Sequence, residues 1–246
     1  MGWTLRLVAM LLLPAAGAAS LPATVRLAVG ENKPPYTFSN PPGGIEYDLL
    51  TAVIERMGCQ ADISMVPNAR ARLLFDKGQI DGTKAVAGEV LSQPYIAYQN
   101  VAVTLTDKKL DIRTIEDLAK YRVVAFQDAH LFLGPRFSAM AAANRDYLEA
   151  SPQTMENRLL FSDRVDVAVS DVHIFDWLNR QVVGADATQK VTVHRIFAPT
   201  RYRIVFHDPE LRDAFDKALR EILASDLLAS LAKKYLPNPL GSDFRP

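Results

Sequence analysis

Cysteine is nearly absent: Cys59 is the only one in 246 residues. No internal disulfide can staple this chain, so its stability must come from packing, and a lone thiol of this kind is a small core residue. Long hydrophobic runs are missing too. The stretch Leu7 to Leu13 falls well short of the roughly 20 apolar residues that span a bilayer, and nothing later does better. Charge of either sign is not in excess, with 28 basic and 28 acidic residues. That balance gives no footprint for nucleic acid or an anionic membrane. Several catalytic signatures are lacking as well: the sequence holds no Gly-x-Ser-x-Gly elbow, no Cys-His motif and no phosphate-binding loop. The four histidines, at positions 130, 173, 194 and 207, show no metal-ligand spacing. No cofactor or metal is therefore implied. There is also no internal repeat and no low-complexity linker.

What is present begins with a leader. Arg6 is the only charge in the first twenty residues, an apolar run follows, and Ala15 to Ser20 is small-residue ground suited to cleavage. Residues 1–20 read as a secretory signal peptide, which places the mature chain outside the inner membrane. No cysteine follows the apolar run to carry a lipid, so the exported protein is expected to diffuse freely in the periplasm. About 220 residues then remain, enough for one large domain or two small ones.

The mature chain alternates between strand and helix patterns. Val25 to Val29 and Ala61 to Val66 read as strands; between them Leu49, Leu50, Val53, Ile54 and Met57 form the stripe of a helix stopped by Gly58. A short helix over Arg70 to Phe75 ends at Gly78. Further on, a helix begins at Thr114 to Leu118, Arg122 to Phe126 and Val165 to Val169 are strands, and Pro152 opens a helix reaching Leu160. Asp208 and Pro209 start an amphipathic helix with Leu211, Phe215, Leu219 and Ile222 on one face, and a second apolar helix runs through Tyr235. This order is that of an α/β fold.

An ordered series of short motifs runs the length of this pattern: Pro34-Pro35-Tyr36, Gly44-Ile45-Glu46-Tyr47-Asp48, Gly78-Gln79-Ile80-Asp81 and Gln93-Pro94-Tyr95, then Ile115-Glu116-Asp117-Leu118. Arg122-Val123-Val124-Ala125-Phe126-Gln127, Arg164-Val165-Asp166-Val167-Ala168-Val169-Ser170-Asp171 and Asp208-Pro209-Glu210-Leu211 complete it. The series resembles the bacterial extracellular solute-binding proteins of family 3, associated with amino-acid ABC transporters. The resemblance implies a two-lobed periplasmic-binding-protein fold of type II with a ligand cleft between the lobes. Residues 21–104 and 199–246 would form the first lobe and 105–198 the second, with chain crossings near 101–106 and 196–203. A monomer that closes on a small polar ligand and hands it to an ABC permease is the implied function, and small-molecule sites do favour domain interfaces.

Site residues follow from motif position. Tyr36 and Tyr95 would enclose the apolar body of the ligand, Asp171 at a strand end would meet an ammonium, and Arg70 would clamp a carboxylate. Gln127 and His130 flank the segment Asp128-Ala129-His130 that replaces the family's usual glycine-threonine turn, a turn that offers backbone donors to an anion. The arginine that grips the α-carboxylate in amino-acid binders is missing after Asp81-Gly82-Thr83-Lys84. Lys84 is the substitute cation, although a lysine in a tight turn after a strand is expected to face solvent. Asp166 is expected to be structural, and Glu46 and Asp48 to favour a helix N-terminus. Two other readings share the fold: a dehydratase of the cyclohexadienyl type using Glu46, Asp48 or Asp171 as general acid, and a soluble sensor presented to a membrane receptor.

Overall fold

The computed structural model describes residues 21–182 and 190–236; the expected signal peptide lies outside the described residues. The chain first builds β1 (Thr24–Gly30), the short strands β2 (Phe38–Ser39) and β3 (Pro42–Gly43), α1 (Ile45–Arg56), β4 (Gln60–Val66), α2 (Asn68–Asp76), β5 (Gly82–Ala85) and β6 (Ile96–Tyr98). It continues with β7 (Asn100–Leu105), β8 (Val123–Phe126), α3 (Ala129–Phe132), α4 (Gly134–Ala143), β9 (Tyr147–Ala150), α5 (Thr154–Phe161), β10 (Val167–Asp171), α6 (Val172–Val182) and β11 (Val191–His194). It closes with β12 (Thr200–Phe206), α7 (Pro209–Leu223) and α8 (Leu227–Tyr235).

Two five-stranded sheets result, one ordered β4-β1-β5-β12-β6 and the other β11-β7-β10-β8-β9. In each, parallel strands fed by helices form one side, while strands next to the crossings pair antiparallel. The chain leaves the first sheet between β6 and β7, at Gln99, and returns between His194 and Thr200. The outward crossing is thus earlier than the expected 101–106, because those residues pair with β10 and β11 inside the second sheet.

Both sheets are pinned by one device. Arg26 in β1 donates its amide and guanidinium to Asp81, and Arg122 before β8 does the same to Asp166. Asp166 is therefore structural, as its sequence context suggests, and Gly-Gln-Ile-Asp81 is its counterpart in the other lobe. Helices α1, α7 and α8 cover one face of the first sheet, with Leu49, Val53, Phe215, Leu219 and Leu231 packed against Val25, Leu27 and Ile204. Full burial of each such side chain stabilises by about 1.5–3 kcal/mol, which compensates for the missing disulfides. Cys59 lies buried in this same core.

Two local expectations change. Thr114 to Leu118 leads only into a 3-10 turn over Glu116–Lys120, where Asp117 accepts from the Arg113 and Thr114 amides. Pro152 precedes α5 by two residues instead of starting it. Asp208 does cap α7, accepting from the Glu210 amide at 2.8 Å.

Helix α1 has no side-chain cap; the carbonyls of Pro35 and Tyr36 receive the Ile45 and Glu46 amides at 3.0 and 2.9 Å. That closeness requires Gly44, whose φ is +113° and where a Cβ would stand 2.2 Å from the Tyr36 carbonyl oxygen. Gly44→Ala should cost about 3 kcal/mol through backbone strain alone. Chemical denaturation checks this, and a midpoint equal to wild type would show that the loop yields freely.

Candidate functional site

The cleft lies where loops at the strand ends of the two sheets face one another. From the first lobe come Lys33, Asn68, Lys84, Tyr98 and Tyr202; from the second come Asn100, Phe126, Phe132, Gln153, Asp171 and Ile174. Here the lobes are closed upon each other. Tyr36 donates its hydroxyl to Asp171 across the cleft at 3.3 Å, Asn68 donates to the Gln127 carbonyl at 3.2 Å, and Arg72 stands 3.5 Å from Asp128. Ile174 and Leu178 of α6 bury themselves in the first lobe's core, and Trp177 packs edge-on against Phe38.

At the floor of the first lobe sits a charged network whose carboxylate is fully buried and whose ammonium is nearly so. Glu46 is completely buried; its carboxylate takes the Lys84 ammonium at 3.1 Å, the Tyr98 hydroxyl at 2.5 Å and the Tyr95 hydroxyl in a short hydrogen bond. Burial alone would push this carboxyl up, but the Lys84 charge and the two hydroxyl donors outweigh it and hold Glu46 below the usual carboxylate range. Lys84 also lies over the rings of Tyr98 and Tyr202, at 4.7 and 4.8 Å from their centroids, a cation–π arrangement. Two expectations are corrected here. Lys84 is part of β5 and buried, not in a solvent-facing turn, because Glu46 and the aromatic rings compensate its charge. Glu46 is not merely a helix-terminal carboxylate; α1 turns it inward as the partner of Lys84.

Lys33 is the second cation. The residue is half-buried and lines the cleft, and its ammonium donates to Asn68 Oδ1 at 2.8 Å. Among the described residues no carboxylate lies within ion-pair distance of it. Burial, reinforced by the like charge of Lys84, lowers its pKa to about 7.

On the second lobe, Asp171 ends β10 and begins α6. One carboxylate oxygen accepts the amides of His173 and Ile174 at 2.9 and 3.1 Å, and the other receives Tyr36. Asp171 is thus a helix cap and a cleft residue together. Burial pushes its pKa up to about 7 despite those donors. Behind it, burial also pushes the fully enclosed Glu156 carboxyl well above the ordinary range.

The remaining sequence candidates divide clearly. Tyr36 is buried and stacks on Tyr98 with ring centroids 3.9 Å apart; Tyr95 is consumed by Glu46 and packs in the core. Gln127 offers only its backbone carbonyl, to Asn68. His130 pairs through Nδ1 with Glu149 at 2.7 Å. The same Glu149 carboxylate receives the Asp128 and His130 amides at 2.7 and 3.1 Å, so the chain's own anion occupies the donors that the glycine-threonine turn would present. Arg70 projects from the exposed side of α2 and lines none of the cavities described here, whereas Arg72, roughly half a turn round the helix, lines the groove and stands near Asp128 of the second lobe. Sequence reasoning missed Lys33, Asn68, Tyr98, Asn100, Gln153 and Tyr202. Lys33 shares the Pro34-Pro35-Tyr36 loop and could have been read from that position; the others carry no local signal.

Comparison with known proteins now has a geometry to explain. The model of the bacterial extracellular solute-binding proteins, family 3, matches residues 25–238. The chain belongs to this family. Solved structures similar to this solute-binding chain include an ancestral arginine-binding protein bound to arginine, 20% identical, with 88% of this chain and 100% of that one covered and a TM-score of 0.71. A histidine kinase sensor domain with similarity to periplasmic binding proteins is 20% identical, with 87% and 96% covered and a TM-score of 0.73. The arginine-, lysine-, histidine-binding protein ArtJ from Geobacillus stearothermophilus is 15% identical, with 89% and 97% covered and a TM-score of 0.69. No curated protein matches the sequence. These likenesses establish the two-lobed type II fold. Among the described residues, no helix is long and apolar enough to cross a membrane.

Proposed function

We propose that this chain is a periplasmic solute-binding protein that captures a small anionic or zwitterionic metabolite by hinge closure and delivers it to an ABC permease. The observation that carries the ligand class is the Lys33 ammonium, which donates to Asn68 at the cleft and, among the described residues, has no carboxylate within ion-pair distance. A ligand carboxylate placed there supplies the missing charge, and a charge-assisted hydrogen bond of this kind contributes about 1.5–3 kcal/mol. Lys84 is already matched by Glu46, so it orients the site without demanding an anion. Asp171 meets an ammonium when the ligand carries one, and Tyr36 closes over it. The ligands bound in similar structures, arginine and L-glutamate among them, support an amino-acid-like size. The two lobes correspond to the two sheets, joined at Gln99 and across 195–199.

A thermal-shift screen of the exported chain against amino acids, small carboxylates, cyclic acids and polyamines tests this, with each hit then incubated and assayed for turnover. The expected hits are acids recovered unchanged, since a ligand at a hundred times its Kd stabilises the native state by about 2.7 kcal/mol. Polyamines as the sole hits would overturn the anionic reading. An acid consumed on incubation would replace capture by catalysis in the same cleft.

A further inference from the structure

The polar cleft between Lys33 and Asp171 closes down to a free volume of ≈ 10 Å³, about the room of one water molecule. Directly beside it opens a groove of ≈ 620 Å³, a size ordinary for small-molecule sites. Asn68, Lys84 and Phe132 line both spaces, so the two adjoin across these side chains. The groove is walled differently from the cleft. Phe75, Val86, Val90 and Val205 of the first lobe face Leu131 and Phe132 of the second. Phe75 is held in place by stacking on His207, with centroids 3.9 Å apart and the planes 7° from parallel, and His207 Nε2 bonds back to the Phe75 carbonyl at 2.9 Å. Phe132 is fixed edge-on against Tyr202. Leu131 lines the groove with half of its surface exposed, so its side chain is open to whatever enters there.

We infer that the ligand is a carboxylic acid with an extended aromatic or aliphatic body, its acidic head against Lys33 and Lys84 and its apolar body in the groove between Phe75, Val86, Val90 and Leu131. The inference rests on the proposed capture of an acid in the cleft and adds the substrate class. Charge and apolar surface stand side by side in two adjoining spaces, with Lys33 at the cleft and Phe75, Val86, Val90 and Leu131 at the groove. A free acid as small as alanine would use only the cleft and leave the groove wet. Because Leu131 and Phe132 belong to the second lobe, an apolar body in the groove contacts both lobes and favours the closed form, which is what a binding protein requires of its ligand.

The experiment compares two matched pairs by calorimetry on the exported chain: propanoate with 3-phenylpropanoate, and alanine with phenylalanine. Each pair differs by one phenyl group. In at least one pair the aryl member should bind at least tenfold more tightly, and Ala87→Trp, which fills the groove from an exposed position, should remove that gain. Leu131→Asp, also at an exposed position, should do the same. Small acids that bind as well as their aryl partners would overturn the inference and leave anion capture standing. Aryl acids whose advantage survives both variants would also overturn it, by placing their bodies elsewhere. Failure of all four acids to bind would remove the inference together with the acid reading on which it rests.

Discussion

Lys84→Met should lower stability by about 3–5 kcal/mol, the loss seen when one member of a buried ion pair is removed. Glu46 would keep its tyrosine donors but lose the only ammonium that pairs with it among the described residues, while remaining fully buried. For a chain of this size that corresponds to a fall in Tm of roughly 6–20 °C. Glu46→Leu should cost a similar amount, because it strands Lys84 between two aromatic rings with no counter-charge. The double variant Glu46→Leu/Lys84→Met should be far less damaged than the sum of the singles, since replacing both charges with apolar groups removes the desolvation cost that the pair carries. Differential scanning calorimetry on the four proteins measures the coupling. Additive losses would mean that the two residues act separately and that the network at the cleft floor is not a unit.

The fold was more legible in this sequence than the site, for a physical reason. Strands and helices write their burial into the chain at a period of two or 3.6, so β1, α1, β4 and α7 could be read from the spacing of Val25 to Val29, Leu49 to Ile54, Ala61 to Val66 and Leu211 to Phe215. Caps are local as well, and Asp208 and Gly58 did what their residue types suggest. Site residues obey no such period. Glu46 and Lys84 are 38 positions apart, and only the packing of α1 against the sheet brings them to 3.1 Å. Each alone looks like a surface charge. Motif position named Asp171 and Tyr36, and the fold sets both at the cleft, one at a strand end and one in a loop. It favoured Arg70 over Arg72, because sequence does not say which side of a nine-residue helix meets the second lobe. The anion-binding turn was seen to be altered, but the reason needs three dimensions: Glu149, on the neighbouring strand β9, fills it.

Affinity for an acid ligand should vary with pH in a way that reports what Asp171 meets. Lys33 has a folded pKa lowered from 10.5 to about 7, so the free protein holds fewer protons than the unfolded chain between those values. Its burial penalty is fully present below about pH 7 and is relieved as the pH rises toward 10.5, and the ligand-free protein gains stability over that window relative to Lys33→Met. A carboxylate, however, needs the charged ammonium. Its affinity should be flat below about pH 7 and fall by up to about tenfold per pH unit above it. Lys84, Glu46, Glu156 and Asp128 all bear electrostatically on Lys33, and Glu46 is already committed to Lys84, so it offers no substitute for the ligand's charge. Asp171, raised from 3.8 to about 7, gains its charge over the range in which Lys33 begins to lose its own. The ligand-free protein loses stability as the pH rises from 3.8 to about 7, because the unfolded chain ionises over that window while the folded Asp171 stays neutral. For a simple anion the two residues act together, because a charged Asp171 repels what a neutral Lys33 no longer holds, and the profile falls monotonically. For a zwitterion they oppose each other: Asp171 must be charged to take the ammonium, Lys33 to take the carboxylate, and the profile becomes a bell centred near pH 7. Calorimetric titration from about pH 5 to about 9 on wild type, Lys33→Met and Asp171→Asn separates these outcomes. Lys33→Met should weaken binding at least tenfold and remove the part of the alkaline fall that Lys33 contributes, while Asp171→Asn should abolish the acid limb of the bell and leave a simple anion's low-pH affinity intact. An affinity that stays constant across this range in wild type, or changes identically in Lys33→Met, would show that Lys33 does not hold the ligand.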